Sequence, residues 1–382
     1  QAPRPAGTAA AWRVAGALRE AAVAVGSVLV GFAVLELPLA GALPSLSPEH
    51  LAWNLAALGL LFAVAYLAGQ RTRTAAMAFV GACLLAGVAN GYVPLFKGQP
   101  SVPADLFALG TAAAVSGGYS FWPTGPMMLA AALAAGWGLV LAKLLGPRPT
   151  GKAPVRGERT ARVLCNLGAA ALVAVGAFGL YSQADIAVDA ECEVDVWDVR
   201  GSYERQGTAL CFLERMQEIA PEPPAGYSPA YAAELRAAGA LIASGDPEGG
   251  SPAPDGAEGA LPHVIAIMDE TFSDLSAYPG LEGSNIETSL ANSLMGRAAI
   301  GGSVVVSALG GGTCNSEFEF LTGASLGNLG GGVYPYVLYG FKDADSLPRA
   351  FGELGYRTRA IHPAEGSNWR RDAVYAQLGF DA

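Results

Sequence analysis

Two stretches of the chain carry side chains whose types and spacing can do chemistry. In HVIAIMDETFSDL, Val264, Ile265, Ala266, Ile267 and Met268 form a continuous apolar run that ends in Asp269 and Glu270. The run predicts a strand buried on both faces, with two carboxylates at its carboxyl end, the edge where open α/β sheets bind ligands. Oxygen donors there suit a hard or borderline divalent cation; a solvated strand end or a helix N-cap is the plainer reading. In the second stretch, SVVVSAL predicts another buried strand from Ser303 to Leu309. Gly310, Gly311, Gly312 and Thr313 follow, and then CNSEFEFLTG, which reads as a helix. Strand, glycine turn, hydroxyl residue and helix expose a nucleophile at a sheet edge, where the helix N-terminus favours a phosphate-like anion. The turn is neither a Walker loop nor Gly-x-Ser-x-Gly.

A threonine hydroxyl is a poor nucleophile until a base or a metal ionises it. The chain has 3 histidines, His50, His263 and His362, so a triad base is scarce and metal activation is favoured. Cys314 offers a rival thiol, or a small residue packed under the helix start; no histidine lies near it in sequence. A third cluster, His362, Trp369, Arg370 and Arg371, follows an expected helix from Ser346 to Leu354 and an expected strand from Tyr356 to Ile361. Arginine presents a forked donor suited to phosphate and tryptophan a flat wall for a small head group; a solvated Arg370 and a core Trp369 are the plainer alternative.

The elements that must hold these residues divide the chain by composition. Of 382 residues, 52% are hydrophobic and only 15% charged, against roughly 25% charged in an ordinary soluble domain. Up to Gln183 the formal charge is +7, and from Ala184 onward it is −17. An apolar basic part joined to an acidic polar part reads as a membrane region followed by a domain in water. The acidic part argues against nucleic acid as a partner.

Five segments are long and apolar enough to span hydrocarbon: Ala21 to Leu43, Leu51 to Ala68, Thr74 to Phe96, Trp122 to Leu145 and Val163 to Tyr181. Lysine and arginine cluster on alternate sides, 11 on one against Lys97 alone on the other. The N-terminus is therefore expected in the cytoplasm and everything after Tyr181 outside. Glu36 lies in the first span and is expected near its outer end, reaching the head groups, although an intramembrane carboxylate is also a functional candidate. Gln99 to Tyr119 is too broken for a sixth span and reads as interfacial or re-entrant.

The expected domains are a membrane domain over 1–183, a connector over 184–260 and a domain over 261–382. In the connector, Leu210, Leu213, Met216 and Ile219 are spaced for one helical face, a second helix is expected from Pro229 to Ser244, and Gly245 to Gly259 reads as a linker. Of 5 cysteines, Cys83 and Cys165 fall in spans. Cys192 and Cys211 lie in a disulfide-permissive place, where a bridge is open to them and no zinc spacing fits.

The runs MDETFSDL, SALGGGTCNSEFEFLTG and HPAEGSNWRRDAVYAQLGFD resemble the lipoteichoic acid synthase and phosphoglycerol transferase family, within the alkaline-phosphatase/sulfatase superfamily. The resemblance implies five transmembrane helices followed by part of an α/β sulfatase-like extracytoplasmic domain, in a multi-pass protein of the bacterial cell membrane serving cell-wall biogenesis. It implies a phosphotransferase moving glycerol-phosphate from an anionic phospholipid, phosphatidylglycerol, to a polymer or glycan acceptor. Thr313 would be nucleophile and metal ligand, Glu270 a ligand of the same divalent ion (Mn²⁺, with Mg²⁺ or Zn²⁺ as alternatives), and His362, Trp369 and Arg371 would line the head-group pocket. A phosphoethanolamine transferase, a sulfatase or an inactive membrane sensor or scaffold are the rivals. Three departures stand out. Asp269 replaces a residue that is more often Asn or another non-acidic residue, Ala364 (with Glu365 adjacent) replaces an acidic residue, and the downstream Asp-His metal pair is missing, as a truncated domain would have it.

Overall fold

The computed structural model describes residues 6–110, 121–145, 156–195, 198–220, 223, 225–244, 262–269, 280, 293, 296–300, 304, 306–308 and 312–382. They form two compact units. The first is Gln1–Ile219 with Leu309–Gly312 and Gly331–Val337; the second is Ala220–Ala308, Thr313–Gly330 and Leu338–Ala382. Composition divides the chain at Gln183, whereas packing divides it at Ile219.

Five long helices build the first unit: α1 (Ala6–Ala40), α2 (Pro48–Ala68), α3 (Arg73–Tyr92), α4 (Gly125–Leu144) and α5 (Arg156–Gln183). Each contains a stretch long and apolar enough to cross a membrane, in agreement with the five expected spans. Their starts are set by side-chain caps. Ser47 accepts from His50 N, Thr72 from Ala75 N and Thr124 from Met127 N, each satisfying an amide that the first turn leaves bare. The chain breaks after Tyr92 and resumes as the short helix Pro94–Lys97, because a proline ring inside a helix removes one hydrogen bond and crowds the preceding turn.

Small residues let the helices close. A Cβ added at Gly87 of α3 would stand 2.4 Å from Val34 O and 2.8 Å from Leu35 O, both backbone atoms of α1. Backbone cannot swing aside, so Gly87→Leu is expected to destabilise the bundle by about 2–3 kcal/mol, read as a lower melting temperature in detergent. Gly81, on the same helix, has open space around its Cβ position and is the matched control.

Two further helices, α6 (Val199–Gln206) and α7 (Thr208–Gln217), meet at Gly207, whose φ of 92° only glycine adopts cheaply. Glycine offers no capping side chain, and α1 supplies the acceptor instead. Glu36 takes hydrogen bonds from Thr208 N at 2.8 Å and from Thr208 Oγ1 at 3.0 Å. The expectation that Glu36 reaches head groups is thereby corrected: it is 0% exposed, held at a helix N-terminus whose bare amides and positive dipole end favour a carboxylate. Asn54 of α2 does similar service, donating to Gln206 O at 2.8 Å and accepting from Leu210 N at 3.1 Å. The buried face of α7 is Leu210, Cys211, Glu214 and Arg215, while Met216 is 37% exposed, so the stripe read from apolar spacing is turned.

Residues 94–108 hold the short helix Pro94–Lys97 and a 3-10 turn at Pro103–Leu106; residues 111–119 of the stretch read as interfacial lie outside the described residues. Asp105 organises it, accepting from Lys97 Nζ at 2.5 Å, Val102 N at 2.8 Å and Tyr334 Oη at 3.2 Å. Burial depresses the Lys97 ammonium and the Asp105 charge partly restores it. Tyr334 belongs to Gly331–Val337, which packs into this unit. Gly331 N donates to Glu218 at 3.1 Å, and a Cβ at Gly331 would overlap the Arg215 guanidinium.

Glu214 sits in the same region, 7% exposed, with its carboxylate 3.6 Å from Arg215 Nε. Burial pushes its carboxyl from 4.5 up to about 7, Arg215 opposing and Glu218 and Glu193 adding to the rise. A carboxyl with a raised folded value stabilises the fold below the unfolded value, and that contribution is lost as pH climbs through about 7. Glu214→Gln is therefore expected to gain about 2 kcal/mol over the native chain at pH 8.5 and little at pH 4. Paired melts at the two pH values check it; an equal difference at both would remove Glu214 as the cause.

The second unit departs most from expectation. Among the described residues there is no strand. Residues 262–269 carry no regular structure and are exposed, Ile265 at 81% and Ile267 at 86%; Val304 is 87% exposed. A doubly buried strand exists only when neighbours pair its edges and helices cover its faces, and no described residue does either. The run from Tyr356 to Ile361 is likewise no assigned strand, although Ala360 N donates to Ala382 O at 2.9 Å and Asp381 N to Thr358 O at 3.0 Å. The expected helices are present, α8 (Pro229–Ser244), α9 (Thr313–Thr322) and α10 (Leu347–Glu353), and a further one, α11 (Arg371–Leu378), follows the Trp369–Arg370 turn. Ser346 starts α10, accepting from Arg349 N, while its own hydroxyl donates to Leu378 O at 2.6 Å and ties α10 to the end of α11.

Candidate active site

Thr313 is the first residue of α9 and is half-buried. Gly312 precedes it with φ of 131°, a backbone that side chains resist, so the hydroxyl residue is set at a helix start by a turn that glycine permits. The neighbouring Cys314 is 0% exposed, its Sγ 3.6 Å from Asn315 Oδ1. Burial fits the packing reading of that thiol and removes it as an accessible rival to Thr313.

One turn on from Thr313, and so on the same face of the helix, lies Glu317. Its carboxylate is the hub of the unit. Arg371 Nε donates to both oxygens at 3.1 Å, Arg371 Nη2 donates to Oε1 at 2.7 Å and Tyr375 Oη donates to Oε2 at 3.0 Å. Tyr375 follows Arg371 by four residues, so α11 presents both donors from one face. Burial alone would lower the Arg371 guanidinium, but the Glu317 hydrogen bonds and charge raise it; burial, then Glu317, lifts the Tyr375 phenol.

His362 joins this cluster. Its Nδ1 accepts from Ala364 N at 3.1 Å, which places the ring proton on Nε2, and Nε2 stands 3.9 Å from Glu317 Oε1. Trp369 is half-buried and, with Arg370, has a φ of 56°. Two successive non-glycine residues in the left-handed region cost about 1 kcal/mol or more each, a strain found most often at ligand-binding turns.

The structure thus brings Glu317, Arg371, Tyr375 and His362 together, with Thr313 one turn along α9 and Trp369 two residues before Arg371. Arg371 differs from its expected use. It is 2% exposed, its fork is filled by Glu317, and Nη1 donates to Asn368 O at 3.4 Å, so its donors are already engaged. Asp269 is exposed, and Glu270 lies outside the described residues. Glu317 and Tyr375 are the residues that sequence reading passed over; the spacing of four from Thr313 and from Arg371 was the available signal.

Glu319, two residues beyond Glu317 and on the opposite face, has a separate task. It accepts from Leu326 N at 2.7 Å and from Ser307 N at 3.1 Å. Burial would raise its carboxyl, but these amides with the Ser307 and Ser325 hydroxyls outweigh it and hold it below the ordinary glutamate value.

Residues 262–382 match the Sulfatase family. The chain is also 34% identical over 187 residues to a protein of Rhizobium meliloti (strain 1021) provisionally named for cyclic beta-1,2-glucan modification. That match covers 49% of this chain and 26% of the relative, so the chain spans about a quarter of the relative's length. No solved structure matches. A sulfatase-family segment therefore follows five helices of membrane-spanning length.

Sulfatase and alkaline-phosphatase relatives use divalent metals. Among the described residues no three His, Cys, Asp or Glu side chains gather to hold one. Thr313 offers a single hydroxyl oxygen, and the carboxylate nearest to it along α9 is saturated by Arg371 and Tyr375. Among the described residues this donor set is too small to hold an ion, and Glu270, the other expected ligand, lies outside them.

Proposed function

We propose that the chain belongs to a membrane-anchored phosphoglycerol transferase. Its Thr313 takes glycerol-phosphate from phosphatidylglycerol and passes it to a glycan or polymer outside the cytoplasm. The observation that carries this reading is Thr313 itself. It is a half-buried hydroxyl at a helix start, behind a positive-φ glycine, one turn from the buried Glu317–Arg371 pair beside half-buried His362, within a segment of sulfatase-family sequence.

Attack of Thr313 Oγ on the lipid phosphorus expels diacylglycerol and leaves a glycerophospho-threonine, which an acceptor hydroxyl resolves. The amides at the start of α9 favour the phosphoryl charge, and a site carried beside the bilayer spares the lipid from extraction. The name of the Rhizobium relative favours a glycan as acceptor over a polymer. A divalent ion, manganese first, held in part by Glu270, would supply charge neutralisation to this chemistry.

The test is to give the full-length protein, with Mn²⁺ and an oligosaccharide acceptor, phosphatidylglycerol labelled in its head group. Diacylglycerol release with label on the glycan is expected. Label passing instead from phosphatidylethanolamine, or hydrolysis of a sulfate ester, would assign the site to one of its rivals.

A further inference from the structure

Cys192 lies in 191–195, which carry no regular structure and follow the short helix Ile186–Asp189, and Cys211 lies on α7. Both side chains are 0% exposed, in one small apolar core with Ile186, Tyr203 and Leu210. Cys211 Sγ donates to Ser202 O at 3.6 Å, and the Cys192 side chain lies within hydrogen-bonding reach of it. The Cys192 contact and then burial push the Cys211 thiol well above its ordinary value. A thiol so held is no nucleophile. Nor does a metal claim the pair, since no third ligand joins it among the described residues. Two sulfurs packed against each other, 18 residues of chain between them, on the side of the membrane where disulfides persist, have one chemistry left.

We propose that Cys192 and Cys211 are joined by a disulfide in the working protein, made by exchange with an oxidised dithiol donor outside the cytoplasm. One cysteine thiolate attacks the donor disulfide to give a mixed disulfide, and the second cysteine displaces the donor from it. The two cysteines lose two electrons and two protons, and the donor leaves as two thiols. Because both sulfurs are sealed in the folded core, exchange takes place before that core closes.

The bridge ties the 191–195 stretch to α7 at the place where Arg215 already reaches Val194 O, two residues from Cys192 and one turn from Cys211. Glu218, just past α7, is the acceptor for Gly331, so the linkage fastens the helix on which the Gly331–Val337 segment rests. The inference depends on the outward placement read from the lysine and arginine pattern and not on the reaction assigned to Thr313.

Cells expressing the full-length protein are quenched in acid, and free thiols are alkylated under denaturing conditions. The protein is then digested without reductant, cleavage after Arg200 and Arg205 separating the two cysteines. Tandem mass spectrometry is expected to find the Cys192 and Cys211 peptides linked, two hydrogens lighter than their sum, with Cys83, Cys165 and Cys314 alkylated. Alkylation of both Cys192 and Cys211 overturns the proposal, and so does linkage of either to another cysteine. As a second reading, reductant present during refolding should lower the melting temperature of the native protein by several degrees and leave the Cys192→Ser/Cys211→Ser double variant unchanged. An equal response in both would overturn it again.

Discussion

Thr313→Ala is expected to lower transfer of labelled glycerol-phosphate by at least about 10³-fold, close to the loss seen when an enzyme's nucleophile is removed. The neighbouring Cys314 cannot take over, because it is sealed in the core behind α9. Thr313→Ser keeps a hydroxyl at the helix start and should retain activity within about tenfold, since only a methyl and some rotamer restriction are lost. Covalent label should be trapped on residue 313 in the native protein and absent from the alanine variant. Melting temperatures of the three proteins should agree within about 1 °C, because Thr313 is only half-buried and its removal leaves no charge unpaired. Transfer that persists in Thr313→Ala would sink the assignment of the nucleophile whatever the substrate proves to be.

Glu317→Ala is expected to destabilise the second unit by about 3–5 kcal/mol, the cost of breaking a buried ion pair on one side. It would strand the Arg371 guanidinium, 2% exposed, and the Tyr375 hydroxyl with their acceptor gone. Glu317→Gln keeps an acceptor but not the charge, and should fall between. Arg371→Lys should also cost stability, because an ammonium cannot reproduce the two-toothed contact of Nε and Nη2. The informative variant is the pair Glu317→Leu with Arg371→Met. With both charges removed, much of the loss should be recovered. Denaturant melts of the full chain would show it, and a double variant as unstable as Glu317→Ala would mean that packing, and not the stranded charge, sets the cost.

The five spans were legible because hydrocarbon imposes a local rule, about 20 apolar residues with no bare backbone. The helix starts at Ser346 and Pro229 were legible for a similar reason, since caps and periodicity act within a few residues. The reading failed where an element depends on a distant partner. Val264 to Met268 has the composition of a buried strand, but a strand is made by the neighbours that pair with it, and the described residues supply none. Glu36 looked like a carboxylate in search of water, and its true partner is 172 positions away along the chain at Thr208. Thr313, His362, Trp369 and Arg371 stand out in the sequence by residue type and spacing, and their roles belong to the proposal. What the sequence hid is that Arg371 and His362 converge on Glu317, a contact that no local pattern spells out.

The grouping of Gly331–Val337 with the membrane helices has a practical consequence for anyone wishing to make the sulfatase-family segment by itself. Val333 is 1% exposed, Tyr334 6% and Tyr336 0%, and Tyr334 Oη and Gly331 N are held by Asp105 and Glu218, in the unit that such a fragment would discard. A water-soluble product begun at Pro262 would wear this aromatic strip on its outside and would be expected to aggregate or to cling to detergent. Polar replacements at Val333 and Tyr336, made only in the excised fragment, are the first remedy to try.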